Sequence, residues 1–172
     1  MTGFRDAKPD DAELLADLGR RSFVETFGHL YSADNLAAFL RNHSADKWRA
    51  EIRDPAFAIR IAEQDGVAIA YAKVGPPSLP FAPERPSTEL RQFYVLKRWQ
   101  GKGVAQTLMQ WVIEEARRRG ADDLYLSVFT DNHRARRFYE NYGFTFVRTY
   151  DFMVGTHADE DQILRLRLED AR

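Results

Sequence analysis

The sequence predicts one α/β domain built on a mixed β-sheet. Three observations carry that expectation. The chain has 172 residues, the size of a single domain with a sizeable core. After a helical start and a hairpin, the pattern runs strand–helix–strand–helix, the order that lays strands parallel. Two further strand-like segments close the chain and add antiparallel neighbours. No internal repeat or low-complexity tract interrupts this order, so the domain spans residues 1–172.

Taken in order, Phe4 to Ala7 reads as a short strand. Pro9 and Asp10 open a helix, with Asp11 and Glu13 at the positive end of its dipole. Leu14, Leu15, Leu18, Ser22 and Phe23 follow helical spacing in it. "YSADNLAAFLRNH" is a second helix with Ser32 as N-cap, and "SADKWRAEIRD" a third, ended by Asp54-Pro55. "AFAIRIAEQDGVAIAYAKVG" holds two strands around Asp65-Gly66, a strong hairpin signal. Residues 76–86 carry five of the seven prolines and form a surface loop. Thr88 to Leu96 is a strand rich in aromatic residues. A helix follows from Val104, with Gly120 closing it. "DDLYLSVF" is a strand of period two, and "NHRARRFYENYGF" a short helix ending at Gly143. "TFVRTYDFMVG" and "DQILRLRL" are the closing strands, with Asp159, Glu160 and Asp161 in a solvated turn between them.

Composition narrows the function classes. The net charge of −1 disfavours a nucleic-acid binder driven by phosphate neutralisation. The absence of cysteine removes disulfides, thiolate catalysis and zinc–thiolate sites. The four histidines, at 29, 43, 133 and 157, show no metal-ligand spacing, so no metal is assigned. The N-terminal segment lacks the apolar run of a signal peptide, and no stretch reaches the roughly 20 apolar residues of a membrane span. A cytoplasmic protein with no membrane partner is expected.

The chemistry concentrates at "RWQGKGVA", Arg98 to Ala105, between a strand and a helix. Glycines there let several N–H groups turn one way, and the helix dipole adds positive charge. Lys97, Arg98 and Lys102 add more. On the glycines alone, an anion cradle and a plain strand-to-helix turn both stand. A dinucleotide fingerprint fails, because Gln106 sits where its third glycine belongs; a triphosphate loop fails, because no Ser or Thr follows Lys102.

Gln100, Gly103 and Ala105 fill the fixed positions of Q/R-x-x-G-x-G/A, and Ala135, Phe138, Tyr139, Gly143 and Phe144 those of A-x-x-F-Y-x-x-x-G-F. With "ELRQFYV" before them, these segments resemble the GCN5-related N-acetyltransferase (GNAT) family over roughly residues 88–144. The resemblance implies a mixed sheet of about six or seven strands, flanked by helices and opened into a V between two parallel strands. It implies acetyl-coenzyme A as acyl donor, with Phe93, Tyr94 and Val95 along the pantetheine arm. Gln100, Gly101, Lys102, Gly103, Val104 and Ala105 would hold the pyrophosphate, with Asn132 and Arg136 as further contacts. The implied reaction is direct attack of an amine on the thioester. A backbone N–H near Val95 would stabilise the oxyanion, Tyr139 would give a proton to the leaving thiolate, and Glu89 would serve as base through water.

On the acceptor side "FVETFGHLY" supplies Phe23, Glu25, Phe27, His29 and Tyr31, and aromatic rings with a carboxylate suit a cationic amine. Of these, Glu25, Phe27 and Tyr31 are the substrate-binding candidates. This segment and the C-terminal strands are similar to the bacterial spermidine/spermine branch, which implies a polyamine acceptor. Two alternatives stand beside it: a non-catalytic acyl-coenzyme A sensor, and acetylation of a protein N-terminus or lysine. By family analogy the chain forms a homodimer.

Overall fold

A computed structural model describes residues 1–41 and 43–169. Asn42, in the second expected helix, and the last three residues of the expected domain lie outside them. The first strand is β1 (Thr2–Asp6); α1 (Ala12–Phe27), α2 (Ala33–Leu40) and α3 (Ala45–Arg53) follow. Ser32 and Ser44 cap α2 and α3 by accepting from Asn35 N–H at 3.1 Å and Lys47 N–H at 3.2 Å. The hairpin is β2 (Ala58–Gln64) and β3 (Val67–Gly75), and its turn has φ of +53° at Asp65 and +79° at Gly66. Two positive φ values in a two-residue loop match the twist of the flanking strands.

Next come β4 (Ser87–Val95), α4 (Val104–Arg118), β5 (Asp123–Phe129) and α5 (His133–Asn141). The chain closes with β6 (Thr145–Val154) and β7 (His157–Arg167). All seven strands form one sheet in the order β1-β2-β3-β4-β5-β7-β6, with β4 and β5 its parallel pair. The sheet is sandwiched. Leu108, Val112 and Ile113 of α4 pack on Ala70, Ala72, Leu124 and Leu126 on one face. On the other, Leu15 and Leu18 of α1 and Trp48 of α3 pack on Ile59, Ile61 and Tyr71. Strand interiors buried on both faces explain the near-continuous apolar run of β3.

A buried ion pair pins α3 to this second layer. Lys73 Nζ lies 2.8 Å from Glu51 Oε1 and 4.4 Å from the centroid of the Trp48 ring. Burial pulls the Lys73 amine down while Glu51 holds it up.

One expectation is corrected. β7 starts at His157 and not at Asp161, because the hairpin reverses at Gly155 (φ +61°) and Thr156. The alternation that begins at Ile163 therefore runs back through Asp161 and Asp159. Both are 6–7% exposed strand residues. Only Glu160, on the opposite face, is solvated as expected.

Candidate active site

β4 and β5 pair only over Ser87–Glu89 and Asp123–Tyr125, then part. The cause lies on the other edge of β4. Lys73 stands opposite Gln92 and Val74 opposite Leu90, so Arg91 is a bulge that bends the strand. The parted strands open a cavity of about 870 Å³, lined by Leu90–Val95 of β4 and Leu126–Phe129 of β5.

The register says which backbone groups face it. Leu96 N–H donates to Ile69 O at 3.0 Å, and antiparallel pairing alternates. Tyr94 and Gln92 thus also turn their amide groups to β3, while Phe93 and Val95 turn theirs to the opening. Gln100 Nε2 donates to the Val95 carbonyl at 3.2 Å. That leaves Phe93 N–H, Phe93 C=O and Val95 N–H as a strand edge with the spacing to pair an extended amide chain.

At the end of β4 the glycine turn has the backbone geometry an anion cradle needs. Gly101 and Gly103 have φ of +74° and +87°, conformations that disfavour other residues. Gly103 is the N-cap of α4, and no side chain caps that helix, so its first N–H groups stay open. Val104 is buried in the core and offers only its N–H, whereas Gln100, Gly101 and Ala105 line the cavity. Lys102 Nζ and the Arg98 guanidinium sit 5.2 and 5.5 Å from the Trp99 ring centroid, beside the turn. Arg134 Nη2 lies 3.6 Å from where a Cβ on Gly101 would be. Asn132 caps α5 by accepting from Ala135 N–H at 3.3 Å, which leaves its amide N–H groups for the cavity it lines. Main-chain donors, a helix N-terminus and a guanidinium beside an amide-binding edge fit coenzyme A, a pyrophosphate joined to an extended amide arm.

The Acetyltransferase (GNAT) family model matches residues 18–144. The chain belongs to that family. An uncharacterized N-acetyltransferase of Mycobacterium tuberculosis is 30% identical over 155 residues, covering 90% of this chain and 96% of the relative. A spermine/spermidine N(1)-acetyltransferase of Bacillus subtilis is 34% identical over 64 residues, covering 37% of this chain and 42% of the relative. The fold is that of the PaiA N-acetyltransferase of Thermoplasma acidophilum in complex with coenzyme A (TM-score 0.76, 20% identity, 97% of this chain and 99% of that one). It is likewise that of the YncA acetyltransferase of Salmonella typhimurium with acetyl-CoA (TM-score 0.76, 21% identity, 100% and 96%).

Within this GNAT domain the structure sorts the expected residues. Tyr139 lines the cavity from α5 and packs edge-on against Phe93, Phe138 and Phe144. Burial pushes its phenol well above the ordinary value, and Tyr94 adds to the shift. It is therefore protonated at every pH near neutrality. Among the described residues its hydroxyl has no hydrogen-bond partner, which leaves its proton available to a ligand.

Arg136 is not brought to the cavity. Its Nη1 donates to Thr130 O at 3.0 Å and its Nη2 lies 4.0 Å from Glu140. The physical reason is helical spacing. Arg134, Ala135 and Phe138 share the cavity-facing stripe of α5, and Arg136 falls off it. Arg134 lines the cavity where Arg136 was expected.

Glu89 also lies off the cavity lining. It is 6% exposed and accepts from Ser78 N–H at 2.7 Å and Ser78 Oγ at 3.4 Å, with Arg91 Nε 3.8 Å away. Its carboxylate is engaged in holding down the proline-rich loop and does not line the cavity. Burial raises its pKa against the two Ser78 hydrogen bonds and Arg91.

The part of the cavity lined by α1, the segment after it and β7 is aromatic and acidic. Phe27 of α1 meets Phe129 of β5 edge-on at 6.1 Å, and Phe23 stacks on Tyr31 at 5.8 Å. Glu25 lines the cavity and accepts from Lys97 N–H at 2.5 Å, tying α1 to the start of the glycine turn. Tyr31 donates a short hydrogen bond to Asp159 Oδ2, and His157 Nε2 lies 3.0 Å from Asp159 Oδ1. Burial, with the Asp159 bond, pushes the Tyr31 phenol well up. Asp159 and Asp161 both line the cavity. The signal that finds them in sequence is the two-residue period of β7, followed back past Ile163.

Proposed function

We propose that the protein transfers an acetyl group from acetyl-coenzyme A to the primary amine of a small cationic molecule, with polyamines as the acceptor class. One observation carries this: the parted β4 and β5 put an amide-binding edge, an anion cradle and two buried carboxylates around one cavity. Acetyl-coenzyme A supplies an activated acetyl thioester when bound. The N–H groups at Gly101 and at Gly103 to Ala105, with Arg134 and Asn132, hold its pyrophosphate end. Phe93 N–H and C=O pair its amide arm, and Val95 N–H is the donor for the carbonyl oxygen that gains charge. Tyr139 holds a proton at its hydroxyl for the departing sulfur. Glu25, Phe27 and Tyr31 form the acceptor wall.

The partial likeness to a spermine/spermidine acetyltransferase supports the polyamine class, as does the pairing of carboxylates with aromatic rings. An intracellular location goes with this reading, since acetyl-coenzyme A is an intracellular metabolite. The test is release of free thiol from acetyl-coenzyme A over a panel of spermidine, spermine, amino acids and a lysine peptide. Turnover is expected with the polyamines. Turnover restricted to the peptide refutes the acceptor class, and none with any amine refutes transfer.

A further inference from the structure

Asp161 is a buried acid that the scaffold does not use. It is 6% exposed and lines the cavity, and among the described residues its carboxylate has neither a hydrogen-bond donor nor an ion pair. Leaving a buried carboxylate unpaired is costly, so such groups are retained where a ligand completes them.

The sheet register fixes its surroundings. Asp161 pairs with Phe129 on β5 and with Tyr150 on β6, and directly opposed residues share a face. An aromatic ring therefore flanks it on each side. The Tyr150 hydroxyl points past it to Ser127 Oγ at 3.1 Å. Two residues along β7, on the same face, is Asp159, already occupied by Tyr31 and His157. From the facing elements come Tyr31, after α1, and Tyr94 of β4; burial raises both phenols, Asp159 adds to the rise at Tyr31, and the charge of Asp161 adds to both. Burial raises the Tyr150 phenol against its Ser127 hydrogen bond, and Asp161 with Glu89, under its loop, adds to the rise. Lys47, Arg91, Lys97 and Arg134 also line the cavity, but none pairs with Asp161. The vacant partner is thus a cation, and the rings on either side favour an ammonium.

We infer that Asp161 receives the ammonium group of the acceptor and removes its proton, with Asp159 as the fixed negative charge beside it. This assignment rests on the N-acetyltransferase reading above. The balance is simple. One ammonium proton passes to the Asp161 carboxylate, and the neutral amine forms the C–N bond as the C–S bond breaks. The sulfur receives a proton from Tyr139, the second N–H proton lost from the nitrogen restores the Tyr139 hydroxyl, and Asp161 returns its own to solvent. Burial and the neighbouring Asp159 raise the Asp161 carboxyl to about 7, which suits a base working near neutral pH.

The experiment is the pH profile of kcat/KM for spermidine in wild type, Asp161→Asn and Asp161→Glu, with coenzyme A binding measured alongside. In wild type kcat/KM climbs with pH and levels off above about 7. In Asp161→Asn it falls on the order of 100-fold at neutral pH and climbs without levelling toward the amine's own pKa of roughly 10. Asp161→Glu keeps a plateau. Coenzyme A affinity stays within twofold, which certifies the fold. If Asp161→Asn keeps both rate and plateau, the assignment is overturned. If wild type acetylates no amine, the transferase reading fails separately. Calorimetry of spermidine with the coenzyme A complex then decides the ammonium site alone: at least tenfold weaker binding by Asp161→Asn supports it, and equal or absent binding by both proteins overturns it.

Discussion

Replacing Asp161 by Asn removes one titratable group at almost constant volume, so its effect on stability isolates the charge. The carboxyl is raised from 3.8 to about 7 by burial and by Asp159, and it is only 6% exposed. A rise of roughly three units at about 1.4 kcal/mol each is about 4 kcal/mol. The sign follows from proton counting. Between pH 3.8 and about 7 the folded state holds a proton there that the unfolded chain has lost, so stability falls as pH rises. In Asp161→Asn that fall is absent. The variant should match wild type near pH 4 and exceed it by up to about 4 kcal/mol at pH 8, or about 10 °C in Tm for a chain of this size. Urea denaturation at half-unit pH steps reads this directly. Spermidine should narrow the gap at pH 8 by stabilising wild type more than the variant. A difference that stays flat with pH, or a wild type that gains on the variant as pH rises, refutes the account of an unpaired buried carboxylate.

Other perturbations follow from the same geometry. Arg134→Gln should weaken coenzyme A binding about tenfold and flatten its salt dependence, whereas Arg136→Gln should change it less than twofold; equal effects would return Arg136 to the cavity. Tyr139→Phe should lower kcat on the order of 100-fold while coenzyme A affinity holds, as steady-state kinetics and calorimetry would show. Gly103→Ala meets no atom within 4 Å, so its cost is conformational: about 1 kcal/mol of stability by denaturant unfolding, together with weaker coenzyme A binding. Glu89→Gln should keep the kcat/KM plateau above about pH 7, since Asp161 is the titrating group; losing the plateau would make Glu89 the base.

The cofactor side was largely legible in the sequence. Gly101 and Gly103 mark a turn that needs positive φ, while Gln100, Ala105 and Tyr139 were found through the two motifs that resemble the GNAT family, and all three line the cavity. Arg136 was misplaced because three neighbouring arginines on a nine-residue helix look alike until its facing stripe is known. The acceptor side was less legible, because its groups meet only through long-range pairing. Tyr31 and Asp159 are 128 residues apart in the chain. Asp161 read as a solvated turn residue because acidic residues cluster there, and the sheet's two-residue period overrode that composition. Glu89 sat at a strand end in the sequence, and the proline-rich loop folding back through Ser78 buried it.

Acetyl transfer to a cationic amine is the reaction proposed for this cavity. The most direct measurement mixes the protein with acetyl-coenzyme A and spermidine and quantifies free thiol and N-acetylated amine together. Equimolar appearance of both, abolished by omitting spermidine, is the predicted result. Tight coenzyme A binding with no acetylated product from spermidine or any amine of the panel would contradict it.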